Sequence, residues 1–205
     1  MSKKQDILKT AATLFARQGF DAATTQQIAA EAGVTESLIY YHFSGKEEIF
    51  TTILRRGFEV YLSRLETAGA AAGSAFETLE RIVDMHLAIV DEMPAEAFLI
   101  IDTCPSRLND PGDLCTKGIL EARCRLTDIL TCCLEEGMAS GEFVQLPVPE
   151  TVGLFLAGLN GLIRQRALGL EGLGNMNAAV KDFCRRSLLK QPATGGTLRP
   201  LRAAS

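Results

Sequence analysis

The chain has 205 residues, 47% of them hydrophobic and 22% charged, with a formal net charge of −4. That apolar content suffices for a core and excludes broad disorder, while aromatics at only 6% and abundant Leu and Ala favour helices over a β-sandwich. The longest uncharged apolar stretch, Thr151 to Ile163, is 13 residues, short of the roughly 20 that a membrane-spanning helix needs.

The opening MSKKQDILKT carries charges with no apolar run behind them, so no secretory signal is expected. A cytoplasmic setting is expected, with the six Cys mostly as reduced thiols. Charge is unevenly placed. Residues 1–60 hold seven basic and seven acidic residues, and residues 61–184 hold nine and eighteen. Beyond them come five basic residues, Arg185, Arg186, Lys190, Arg199 and Arg202, and no acid. The acidic middle suits neither nucleic acid nor an anionic membrane. Any contact with DNA has to come from the N-terminal block, through where its charges sit.

In that block Ile7, Ala11, Leu14 and Phe15 recur at helical spacing, and Gly19 is placed to end the helix. Thr24-x-x-Gln27 is a capping box that opens a second helix, closed by Gly33. Thr35 caps a third, with Val34 stapled onto Ile39. Ser44-Gly45-Lys46-Glu47 reads as another capping box, starting a longer helix lined by Phe50, Leu54, Phe58, Tyr61 and Leu65. Short capped helices joined by a glycine turn describe a helix-turn-helix, over about residues 24–43. An ordinary three-helix core does not require the content of the third helix. Its first turn offers Thr35, Glu36 and Ser37, and its end carries Tyr40, Tyr41 and His42 in a row, with Lys46 following. Polar tips at the start and phosphate-reaching groups at the end fit a recognition helix in a major groove.

The segment from Lys4 to Leu54, above all GVTESLIYYHFSGKEEIF, resembles the DNA-binding domain of the TetR family of bacterial transcriptional regulators. The resemblance implies an all-α homodimer that binds double-stranded DNA at a palindromic operator, with a second domain for a small-molecule effector. Carried over by position, Thr24 and Thr25 are implied phosphate contacts. Thr35, Glu36, Ser37 and Tyr41 are implied base-edge or groove contacts, and Tyr40, His42 and Lys46 implied backbone anchors. The carboxylate of Glu36 is the odd member, since phosphate repels it.

Beyond the motif the chain reads as a helical bundle. Phe76, Leu79, Val83, Leu87 and Val90 form one face of a helix, and Ile82, Met85, Ile89 and Met93 another, so that helix is buried on two sides. Pro94 starts a short helix that Pro105 terminates, and residues 105–113 read as a loop. A long helix is predicted from Leu114 to Met138, the next from Pro149 to Ala167, and the last from Asn177 to Leu189. Gly153, Ala157 and Gly161 repeat every four residues, a flat stripe that another helix can approach closely. The helix carrying it and the last helix are expected to form a four-helix interface with their symmetry mates. The expected organisation is a helix-turn-helix domain over 1–50, an effector-binding and dimerisation domain over 51–190, and a disordered tail over 191–205.

Phe58, Tyr61, Leu62, Met85, His86, Ile89, Phe98 and Phe155 are the candidate effector-binding residues, apolar or aromatic on inward faces, with Tyr61 and His86 supplying the polar groups. His86 reads more plainly as a satisfied core histidine. The cysteines, Cys104, Cys115, Cys124, Cys132, Cys133 and Cys184, form no Cys-x-x-Cys and sit beside no His, so neither metal nor cofactor is expected. Cys104 and Cys115 flank the loop as candidate sensors of oxidants or soft metals. No Gly-rich phosphate loop, no Gly-x-Ser-x-Gly and only two His argue against an enzyme. The expected function is a DNA-binding repressor released by a small, mostly apolar ligand. The alternative is a DNA-binding regulator answering to thiol oxidation, a soft metal or a protein partner.

Overall fold

Capping decides where most of the helices begin. In the computed structural model, which describes residues 2–103, 113–167, 169 and 175–190, α1 (Lys3–Gln18) starts on a Ser2–Gln5 capping box. The expected Thr24–Gln27 box opens α2 (Thr25–Ala32). Its end is Gly33, at φ 63° and ψ 41°, the left-handed region that glycine enters without strain. Thr35 caps α3 (Glu36–His42) by accepting from the Leu38 amide. The start of α4 (Lys46–Ala70) departs from expectation. Gly45 is its N-cap, without a side-chain hydrogen bond, so Ser44 lies one place too early for a box with Glu47. The Ser44 amide instead donates to Glu48 at 2.6 Å, which holds that carboxyl below the usual range.

A Ser74–Glu77 capping box opens α5 (Ala75–Glu92), and its first amides also donate to Glu142 from the turn after α7. Pro94 occupies the first position of α6 (Pro94–Phe98), where its missing N–H costs nothing. A π-helical turn, Leu99–Thr103, follows directly. The remaining helices are α7 (Leu114–Ala139), α8 (Val148–Ala167) and α9 (Met176–Leu188), each starting and ending within a residue or two of expectation. The fold is all-α. Extended pairing among the described residues is confined to an isolated bridge, Phe143 to Leu189. The expected loop 105–113, apart from Asp113, and the expected disordered tail 191–205 lie outside the described residues.

Buried side chains gather into two cores. The first joins α1, α2, α3 and the first half of α4, where Phe15, Phe20 and Phe50 meet with ring centroids 4.9–5.7 Å apart. It does not stop at residue 50. Phe58, Leu99 and Cys115 belong to it, with Ile100 and Ile119 packed against it. The second core runs from Leu65 through α5, α7, α8 and α9. The expected boundary at residue 50 therefore falls inside the continuous α4, and packing changes hands between Phe58 and Leu65. The α6 and π-turn segment bridges the two, packing on both α1 and α5.

Candidate functional site

The reading face is built by burying one side of α3. Ile39 and Phe43 enter the first core, which leaves Thr35, Glu36 and Ser37 exposed at one end, with Tyr40 56% and Tyr41 80% exposed beyond them. An 80% exposed aromatic gains nothing for the fold and is available to a partner. His42 is half-buried and meets Tyr41 and Phe43 edge-on, at 5.0 and 6.2 Å. Thr24 spends its hydroxyl on the α2 cap, accepting from Gln27 N at 3.1 Å. Thr25 donates to Glu36 Oε1 at 2.8 Å and lies 3.3 Å from Tyr40 OH, so the starts of α2 and α3 are tied together.

Lys46 faces the other way. Its Nζ donates to the carbonyls of Phe20, Asp21 and Ala23 at 3.0, 3.0 and 3.1 Å and sits 4.6 Å from the centre of the Phe20 ring. All three ammonium protons are engaged within the protein. The expected phosphate anchor is thus placed as a clamp, pinning the α1–α2 turn to the start of α4. A sequence pattern cannot show it, because the partners are main-chain carbonyls 23–26 residues away.

In the second core His86 is 2% exposed and hydrogen-bonded through both ring nitrogens. Nδ1 lies 2.7 Å from the Ile82 carbonyl, which can only accept, so Nδ1 carries the proton. Nε2 is then an acceptor, and Tyr61 donates to it at 3.0 Å. Burial pushes His86 down to about 4 and the Tyr61 hydroxyl well up, so the pair is neutral at physiological pH. Met85 joins them in this core, with Ile89 and Phe155 packed against it, whereas Leu62 and Phe98 are half-buried. Phe58 stands apart. It lies in the first core, with its ring against Gly118 of α7. A shallow groove of about 440 Å³ between α4 and α5 is lined by Arg64, Ala68, Arg81 and Met85 among others, and of the eight effector candidates only Met85 reaches it. Gln165 of α8, not anticipated as a candidate, has its Oε1 buried with no hydrogen-bond partner.

Cys124, Cys132, Cys133 and Cys184 are free, as expected, and burial pushes the Cys133 thiol up to about 12 and Cys184 up to about 11. Cys115 departs from the expectation of thiols: it is disulfide-bonded, and 1% exposed in the first core. Cys104 lies outside the described residues. No group of three His, Cys, Asp or Glu able to hold a metal occurs among the described residues, and none of their helices is long and apolar enough to cross a membrane.

The model for bacterial regulatory proteins of the tetR family matches residues 7–53, the helices just described. Over nearly the whole chain, the HTH-type transcriptional regulator SrpR of Pseudomonas putida is 43% identical across 203 residues, 92% of each protein. The chain belongs to the TetR family. The HTH-type transcriptional repressor KstR2 of Mycolicibacterium smegmatis is 29% identical over 144 residues, 69% of this chain and 68% of that protein. The ketosteroid regulator KstR2 of Mycobacterium tuberculosis superposes with a TM-score of 0.77 at 19% identity, covering 93% of this chain and 96% of that one. PfmR of Thermus thermophilus superposes at 0.71 with 26% identity, over 90% and 99%. As a TetR-family protein, this one is a DNA-binding transcriptional regulator.

Proposed function

We propose that this TetR-family protein is a repressor whose dimer grips a palindromic operator and releases it when a small, mostly apolar ligand enters the second domain. One observation carries the reading: α3 buries Ile39 and Phe43 and turns Thr35, Glu36, Ser37, Tyr40 and Tyr41 outward together. Thr24, Thr25 and His42 lie beside that face, and Lys46 supports it from behind. A dimer presents two such helices to successive major grooves.

The apolar wall around Tyr61 and His86 supports the ligand's character. Met85 lies in the second core with Ile89 and Phe155 packed against it, and Tyr61 and His86 are the polar members of the candidate set. Because Tyr61 and His86 satisfy each other, a ligand group that displaces either must replace the lost hydrogen bond. The ligand is therefore expected to carry one or two hydrogen-bonding groups on an apolar frame. Its action is a population shift towards a spacing of the two reading helices that no longer matches successive grooves. A structural neighbour is named for ketosteroid regulation, which agrees with an apolar frame.

The test has two stages. Selection from a random duplex pool should return a palindrome, and a compound screen on that operator should then find one that releases the protein. Changing Tyr61→Phe and His86→Leu together should abolish release by that compound while operator affinity stays within about threefold. A double variant that still responds normally refutes this placement of the ligand. A second reading is favoured by the bonded Cys115 inside the first core: there, reduction alone, with no compound present, changes operator affinity.

A further inference from the structure

Glu36 is an unexpected residue to hold out towards a polyphosphate, and its hydrogen bonds define what it has left to offer. Thr25 has one hydroxyl proton and gives it to Glu36 Oε1 at 2.8 Å. Tyr40, whose oxygen lies 3.3 Å from that same hydroxyl, must then be the donor of the pair. A directed chain results: Tyr40 to Thr25 to Glu36. The protons of both hydroxyls run inward to one carboxylate, so the carboxylate is oriented and its second oxygen remains as an acceptor on the exposed first turn of α3.

We propose that Glu36 is a specificity-determining residue that reads a cytosine in each half-site, accepting from its exocyclic N4 amine in the major groove. A carboxylate can only accept, so the guanine and thymine edges, which offer only acceptors there, repel it. Two bases carry a major-groove amine. Adenine places the N7 acceptor next to its N6 amine, whereas the cytosine amine has only a C–H beside it. Cytosine is the base on which a carboxylate meets a donor and no opposing lone pair. The Thr25–Tyr40 chain restrains the side chain before DNA arrives, so less rotamer freedom is lost on binding.

The inference rests on the DNA-reading role proposed above, and its test separates the two. Full-length protein, Glu36→Gln and Glu36→Ala are each measured against the selected operator with all four base pairs placed in turn at every half-site position. The wild type should prefer cytosine at one symmetric position by about tenfold, within the range of a good base contact. Glu36→Ala should lose that preference and keep the others. Glu36→Gln, whose amide both donates and accepts, should move it to adenine, where the N6 and N7 edge suits a bidentate amide. Thermal melts of both variants should match the wild type, since the residue is exposed. If instead both variants weaken every sequence alike with all preferences intact, Glu36 only positions Thr25 and the inference is overturned. A wild type that selects no sequence from the pool overturns the DNA-reading proposal as well.

Discussion

At the scale of single residues, the internal polar contacts make predictions that a purely surface role would not. His86 titrates at about 4 in the folded chain against an ordinary 6.5, because burial disfavours the charged ring. Below pH 6.5 the unfolded chain takes up a proton that the native protein refuses, so stability is complete above that value and falls as the pH drops towards 4. The loss approaches about 3 kcal/mol at the acid end of that window. Asp84, held low by Lys181 and Asn177 against its own burial, and Glu48, held low by the Ser44 amide, begin to lose their contributions as the pH falls below their ordinary 3.8 and 4.5. Urea unfolding at pH 7 and pH 4.5 should show the drop in the wild type and a much smaller one in His86→Gln. Lys46 gives the second prediction. With its ammonium on three carbonyls, Lys46→Ala should cost about 2 kcal/mol of folding stability, the range for hydrogen bonds to a charged group. A phosphate anchor pointing at solvent would leave the melting temperature unchanged, and calorimetry on the free protein decides between the two.

Among the elements, what was legible in the sequence was what is local. The Thr24 box, the Gly33 turn and the Thr35 cap are each settled within a few residues, and each formed as the sequence predicts. The apolar spacing along α5 placed that helix for the same reason. Ser44 failed as a cap because one residue of offset, decided by how Gly45 and Glu48 meet it, moved the helix start. The Ser74-x-x-Glu77 box that opens α5 is local in the same way. Tertiary choices were illegible: that Lys46 would turn to residues 20–23, that Phe58 would join the first core, and that Leu99–Thr103 would widen into a π-turn. For the reading face the exposed residues of α3 were legible, and the Thr25–Glu36–Tyr40 chain across two helices was not. Packing between elements also separates two helical glycines that look alike in the sequence. A Cβ on Gly137 would meet the buried Phe143 ring at 2.2–2.8 Å, whereas one on Gly158 meets nothing within 4 Å. Gly137→Ala should therefore destabilise by about 1–3 kcal/mol despite the helix propensity it gains. In a single chain Gly158→Ala should instead stabilise by about 0.5–1 kcal/mol. Chemical denaturation of the two variants measures both.

At the scale of the whole molecule, one chain leaves apolar surface that it does not cover. Leu154 on α8 is 75% exposed and Phe183 on α9 is 70% exposed, while Gly153, Gly158 and Gly161 leave open space beside them. Both helices pack onto α5 from within the chain, so their outer faces point away from the core. A second copy is the occupant that a palindromic operator requires, because two-fold symmetry in the DNA asks for two-fold symmetry in the protein. Pairing would bury the two large side chains and let the backbones approach along the glycine stripe. It also links the seam to DNA binding. A monomer holds one reading helix and forfeits the linked second contact, a loss of about a hundredfold or more in operator affinity. Gly161→Glu places a charge in the stripe and Leu154→Glu removes an apolar anchor, so each should yield monomers by light scattering with the fold intact by circular dichroism. Both should lose operator affinity to that extent while retaining the base preferences of a half-site. Dimers of normal mass in both variants would place the symmetry axis elsewhere, and Gly158→Ala adds a sign test: an open glycine stabilises when filled, whereas one in a close-packed seam weakens the dimer.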